Sequence, residues 1–153
     1  MSYVYKPFNR KLYDKHDNVA KEAVLRLLRS HGHEVVSAEE TKNVDLITTK
    51  NGKTYHSEAE VKTAWKSEWP DSWLDIRIPE RKKRLLKGVD DTYLNFYILN
   101  NDKTQAWLIV GSALTEDRLK VAFGRNIMKG ERFFHIPVSD ARLVDIPSLS
   151  STG

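Results

Sequence analysis

The sequence predicts a mixed α/β domain built round a central sheet. Three observations point there. One amphipathic helix near the N-terminus is followed by short segments rich in β-branched residues. An Asn-Gly pair joins two of those segments as a hairpin. The length of 153 residues suits a single domain, residues 1–153, with a core worth burying.

The helix is "DNVAKEAVLRLLRSHG". Ala20, Ala23, Val24, Leu27 and Leu28 recur at helical spacing, Asp17 or Asn18 can cap the start, and Gly32 can end it. "HEVVSA" reads as a short strand and "VDLITTK" as a second. Asn51-Gly52 then turns the chain into a return strand, "KTYHSEAEVKT". "AWKSEWPDSWLDIRI" reads as irregular, with three tryptophans and a proline. "PERKKRLLKG" predicts a helix with Pro79 at its first position and Gly88 past its end. "TYLNFYILN" and "QAWLIVG" form a second hairpin across "NNDK". "SALTEDRLKVAF" predicts a further helix, and "RFFHIPV" and "ARLVDI" add late strands. The closing "PSLSSTG" reads as a flexible tail.

Composition narrows the class. The apolar runs are short, so no segment is expected to span a membrane. The N-terminus has no apolar signal-peptide core, which predicts a cytoplasmic location. The absence of cysteine excludes disulfides and thiolate metal sites. Net charge is +4, and the basic residues cluster in "RKLYDKH", "PERKKRLLKG" and "RNIMKGERFFH". Such clusters suit a polyanion partner, although solubility alone also accounts for a modest positive charge.

The pattern Glu-x-Lys begins at Glu40, Glu60 and Glu80. Strand parity favours the middle copy. On the return strand Glu58, Glu60 and Lys62 share one face, while Tyr55, Ser57, Ala59 and Val61 share the other. Two carboxylates side by side repel unless a cation relieves them. The hairpin brings Asp45 toward Glu60, and an oxygen-rich pocket of this kind suits Mg²⁺. Phosphodiester cleavage uses such equipment: an ion to polarise phosphate and generate hydroxide, and a lysine to orient water or offset charge. The copy at Glu40 falls in a polar loop. The copy at Glu80 falls on the predicted helix, where residues two apart project about 200° from each other. Pro70-Asp71 upstream of it therefore reads as a decoy. A solvated charged face is the plain alternative for the middle copy.

Trp65, Trp69 and Trp73 have three readings: a cover for the core edge, a dimer contact, or a stacking platform for unpaired bases. Arg81, Lys82, Lys83, Arg84 and Lys87 can follow a phosphate backbone or form a solvated face. His31 and His33 lack a third ligand nearby, and His56 has no assigned role.

The run "HGHEVVSAEETKNVDLITTKNGKTYHSEAEVKTAWK" resembles the PD-(D/E)XK nuclease superfamily, and within it the archaeal-type Holliday junction resolvases. The likeness extends through Val110. It implies a restriction-endonuclease-like αβββαβ core over about residues 15–110; residues 111–153 lie beyond the likeness and read as an additional helix and strands. It implies Asp45 and Glu60 as metal ligands, the Val61 carbonyl as a third, and Lys62 as the catalytic lysine. Lys21 stands where the resolvases carry a glutamate, so Asp17, Glu22 and Glu58 are the candidate helix or accessory acids. The hairpin is longer than theirs, which implies a β-bulge before Glu60.

The resulting expectation is a Mg²⁺-dependent DNA endonuclease, with Mn²⁺ able to substitute, acting as a homodimer on branched DNA. The alternatives are a duplex-cutting restriction-like or homing nuclease, and a nucleic-acid-binding module without catalysis.

Overall fold

The computed structural model describes residues 10–38, 45–86, 92–122, 127 and 129–148. Its long helix, α1 (Arg10–Ser30), buries Ala20, Ala23, Val24, Leu27 and Leu28, the stripe that the spacing predicts. The helix starts earlier than expected, so Asp17 and Asn18 lie within it rather than capping it. Gly32 ends it at φ +89°. The Gly32 N–H bonds to Arg29 O at 3.0 Å and the His33 N–H to Leu28 O at 3.0 Å. That pair of bonds is a Schellman closure, and its left-handed residue favours glycine. Among the described residues no helix is long and apolar enough to cross a membrane.

Among the described residues nine strands follow: β1 (Glu34–Ser37), β2 (Leu46–Lys50), β3 (Lys53–Val61), β4 (Asp75–Pro79), β5 (Thr92–Leu99), β6 (Gln105–Val110), β7 (Leu119–Val121), β8 (Arg132–Pro137) and β9 (Arg142–Asp145). Six form one sheet in the order β1-β2-β3-β5-β6-β9, and β4-β8-β7 form a second. In the large sheet β3 and β5 run parallel, and the other neighbours are antiparallel. Parallel neighbours need a long crossover. Here the crossover carries the tryptophan segment, β4 and a 3-10 turn, η1 (Glu80–Leu86).

Asn51 and Gly52 both adopt positive φ, 53° and 77°. This is the turn type that Asn-Gly favours, and it sets Lys50 opposite Lys53. The two faces of the large sheet bury different cores. On one, α1 covers Leu46, Ala59, Tyr97 and Leu99. On the other, Phe96, Ile98, Trp107 and Ile109 meet Ile76 and Ile78 of β4 and Phe134 and Ile136 of β8.

Three expectations are corrected. The "irregular" tryptophan segment ends in β4, where Ile76 and Ile78 alternate inward at strand period. "PERKKRLLKG" forms the 3-10 turn η1, with Pro79 closing β4 rather than opening a helix; Gly88 lies outside the described residues. "SALTEDRLKVAF" forms two short 3-10 turns and then β7, because pairing with β8 outweighs weak helical spacing. The expected tail falls largely outside the described residues, which end at Ser148.

Candidate active site

The site is built where β2 begins and β3 ends. β2 runs antiparallel to β3, so the start of β2 lies beside the C-terminal end of the parallel pair β3-β5. Ligands of open α/β sheets gather at that end of parallel strands.

The hairpin register pairs Leu46 with Ser57 and runs without interruption to Lys50 and Lys53. Continued by one residue, it sets Asp45 across from Glu58. Glu60 follows two residues later on the same face, about 6.6 Å along the strand. β3 also pairs continuously with β5 from Thr54 to Val61, so the expected bulge before Glu60 is absent. The bulge of this hairpin system lies instead in β1, between Val35 and Ser37.

Asp45 and Glu58 hold each other reciprocally. The Asp45 backbone N–H donates to Glu58 Oε2 at 2.9 Å, and the Ala59 N–H donates to Asp45 Oδ2 at 3.0 Å. Each carboxylate keeps its second oxygen toward a lysine. Lys82 Nζ donates to Glu58 Oε1 at 2.6 Å, and Lys21 Nζ lies 3.9 Å from Asp45 Oδ1. Glu58 is buried, at 5% exposure, whereas Glu60 is exposed. A buried carboxylate beside a second one is stable only where cations or N–H donors offset it. This pair has both.

Lys62 continues the face past β3. Its backbone N–H is fixed to Leu99 O at 2.8 Å, and its Nζ lies 5.3 Å from the centre of the Trp73 ring. Burial and then the charge of Arg77 push the Lys62 ammonium below its ordinary pKa, while Glu60 acts in the opposite direction. A half-buried ammonium with a like-charged neighbour is poised to take an anion or to release a proton. Val61, whose carbonyl the resemblance makes a ligand, is half-buried beside it.

Several sequence candidates fall elsewhere. Glu22 is exposed on α1, and the side chain of Asp17 lies outside the described residues, as do Glu40 and Lys87. Lys21, which stands where the resemblance places a helix acid, supplies a cation instead. Glu80 faces away, paired with Arg132. Arg81 meets Glu131 at 3.7 Å and Lys83 meets Glu116, so much of the basic turn is occupied by surface ion pairs. Arg84 is exposed. Among the described residues no group of three or more His, Asp or Glu side chains is gathered as a metal cage.

The tryptophans pack on the core, with Trp69 and Trp73 half-buried. Trp65 is fully buried, Trp69 stands edge-on to Trp65, Trp73 and Trp107, and their ring centres lie 5.0–5.6 Å from that of Trp69. Asn100 pins the neighbouring turn, accepting from the Thr104 and Gln105 N–H groups and donating to Ser67 O and Thr104 Oγ1. The second hairpin is internal to the sheet, with β5 flanked by β3 and β6, and β6 by β5 and β9.

What sequence reasoning missed is the buried role of Glu58 and the arrival of Lys82. The first was countable. Stepping outward from the Asn51-Gly52 turn, Asp45 is the sixth residue on one arm and Glu58 the sixth on the other. The second needed the crossover path, which no local pattern encodes. Neither a scan of protein-family models nor a search of curated proteins returns a match to this chain.

Proposed function

We propose that this chain is a metal-dependent endonuclease that hydrolyses phosphodiester bonds in DNA, with branched DNA as its first substrate. The observation that carries the reading is the reciprocal Asp45–Glu58 pair, followed on the same face by Glu60 and Lys62. Two carboxylates fixed by amide N–H groups, with their remaining oxygens already drawing ammonium groups, form a donor set that suits a hard cation. Mg²⁺ fits it, and Mn²⁺ fits the same oxygens. Asp45 would hold the ion with Glu58 or Glu60, and the Val61 carbonyl is the neighbouring backbone donor.

Bound there, the ion would supply Lewis-acid stabilisation of phosphate charge and an acidified water. The chain's own contribution is positional. The sheet end fixes the carboxylates, and Lys62 offers a charge to the scissile phosphate or to the attacking water. Arg77 adds positive charge close enough to act on Lys62. Symmetric cutting of a junction needs two such sites, which a homodimer would supply. The Trp rings of the Trp-rich segment pack on the core, while Leu74 beside Trp73 is 70% exposed.

The test is a panel of linear duplex, single-stranded and four-way-junction DNAs with Mg²⁺ or with EDTA. Preferential Mg²⁺-dependent cleavage of the junction supports the reading. Equal cutting of plain duplex moves it to a restriction-like or homing nuclease. Binding without cleavage of any substrate in Mg²⁺ or Mn²⁺ leaves a non-catalytic nucleic-acid-binding module.

A further inference from the structure

The Glu-x-Lys copy at Glu80, whose two charged residues are expected to project apart, sends its lysine into the candidate site. Glu80 and Lys82 do project apart: Glu80 accepts from Arg132, and Lys82 crosses to Glu58. The Lys82 Nζ contact with Glu58 Oε1, at 2.6 Å, joins a side chain 22% exposed to one 7% exposed. Two elements distant in sequence thus each bring one ammonium to the acid pair, Lys21 from α1 and Lys82 from η1.

A pair this buried is a poor device for stability alone, because desolvating both charges cancels much of their attraction. Its placement is more informative. Glu58 Oε2 accepts the Asp45 N–H and Oε1 accepts from Lys82, so a divalent ion approaching Oε1 meets an ammonium already there. An ammonium and a divalent ion would compete for the same lone pairs. Nothing in η1 is fully buried, so a change of rotamer at Lys82 need not displace the core.

We infer that Lys82 is an exchangeable internal cation. It neutralises Glu58 in the metal-free protein and yields Oε1 when a divalent ion binds. The inference rests on the metal-nuclease reading above and adds a determinant of metal affinity to it. Lys82 acts here through Glu58, as a positioning residue. Once displaced it stays beside the site, where its charge can meet a phosphate oxygen.

The experiment titrates Mn²⁺ into DNA-free protein and follows free Mn²⁺ by electron paramagnetic resonance. Wild type, Lys82→Met and Asp45→Asn are compared, each first checked for cooperative thermal unfolding. Lys82→Met is expected to bind Mn²⁺ on the order of tenfold more tightly than wild type, since it removes a competing charge. Unchanged or weaker binding overturns the inference. A second measurement needs no variant: reductive methylation of native protein with and without Mn²⁺. Lys82 labelling should rise several-fold with the ion, and equal protection in both states overturns the inference even if Lys82→Met fails to fold. Mn²⁺ binding that depends on Asp45 but ignores Lys82 sinks this inference alone. If neither wild type nor Lys82→Met binds Mn²⁺, the metal-site reading and this inference fall together.

Discussion

Glu58→Ala is the perturbation whose magnitude follows most directly from the structure. The substitution removes the partner of Lys82 and the acceptor of the Asp45 N–H together. Breaking one side of a buried pair costs ~3–5 kcal/mol when the survivor stays dry. Lys82 is 22% exposed and regains part of its hydration, which brings the charge contribution to about 2 kcal/mol. The orphaned amide adds about 1 kcal/mol. Relief of repulsion with Asp45 acts the other way, but both carboxylates are already met by ammonium and N–H groups. The expected loss is about 3 kcal/mol, or about 6–12 °C in Tm for a chain of this size. Glu58→Gln keeps an acceptor for the amide and should cost about 1–2 kcal/mol. Urea unfolding of the three proteins in EDTA measures this without any catalytic readout. A Glu58→Ala loss within about 0.5 kcal/mol of zero, the range of an ordinary surface substitution, would refute the reasoning.

Three further outcomes are expected. Glu60→Ala or Lys62→Ala should lower single-turnover cleavage ~100-fold or more with the fold intact, Glu60→Ala by loosening the ion that the carboxylates would hold and Lys62→Ala by removing a positive charge from the phosphate or the attacking water; Glu80→Ala, on the surface pair with Arg132, should cut like wild type, and the reverse pattern would move the chemistry to the Glu80 copy. DNA affinity should fall with salt at a log–log slope of about −0.9 per phosphate contacted, and a flat titration would contradict a backbone-tracking basic surface. His33 and His135 are both held below the ordinary value of 6.5, chiefly by burial, then by Lys50 and Arg77 respectively. Folding therefore expels their protons: their contribution to stability is present above pH 6.5 and is lost as pH falls through the lower folded-state values. Urea midpoints should drop as pH falls below 6.5, and a His33→Gln/His135→Gln double variant with the same slope would count against that assignment.

Much of the architecture was legible because its signals are local. The α1 stripe, the Gly32 closure and the Asn51-Gly52 turn each depend on a few adjacent residues, and each appears where expected. The β5-β6 hairpin follows from two apolar runs separated by a polar turn. What failed depends on distant partners. β4 and β7 are strands because β8 lies between them, a residue pairing that spans more than fifty positions for β4. At the site, parity groups Glu58, Glu60 and Lys62 on one face, but parity does not fix register. The turn fixes it, and it sets Glu58 rather than Glu60 across from Asp45. Lys82 was unreadable for the same reason as β4: its neighbour is chosen by the crossover, not by its own surroundings in sequence.

The central claim, that Asp45 anchors a metal-dependent phosphodiesterase site, is tested most directly by one measurement. It is the single-turnover cleavage of an end-labelled four-way junction across a Mg²⁺ series, for wild type and Asp45→Asn, with DNA binding measured in parallel in Ca²⁺. The account predicts cleavage by wild type that rises with Mg²⁺ and stops in EDTA, and a rate ~100-fold or more lower for Asp45→Asn with DNA affinity retained. Equal rates for the two proteins, or cleavage that persists in EDTA, would contradict it.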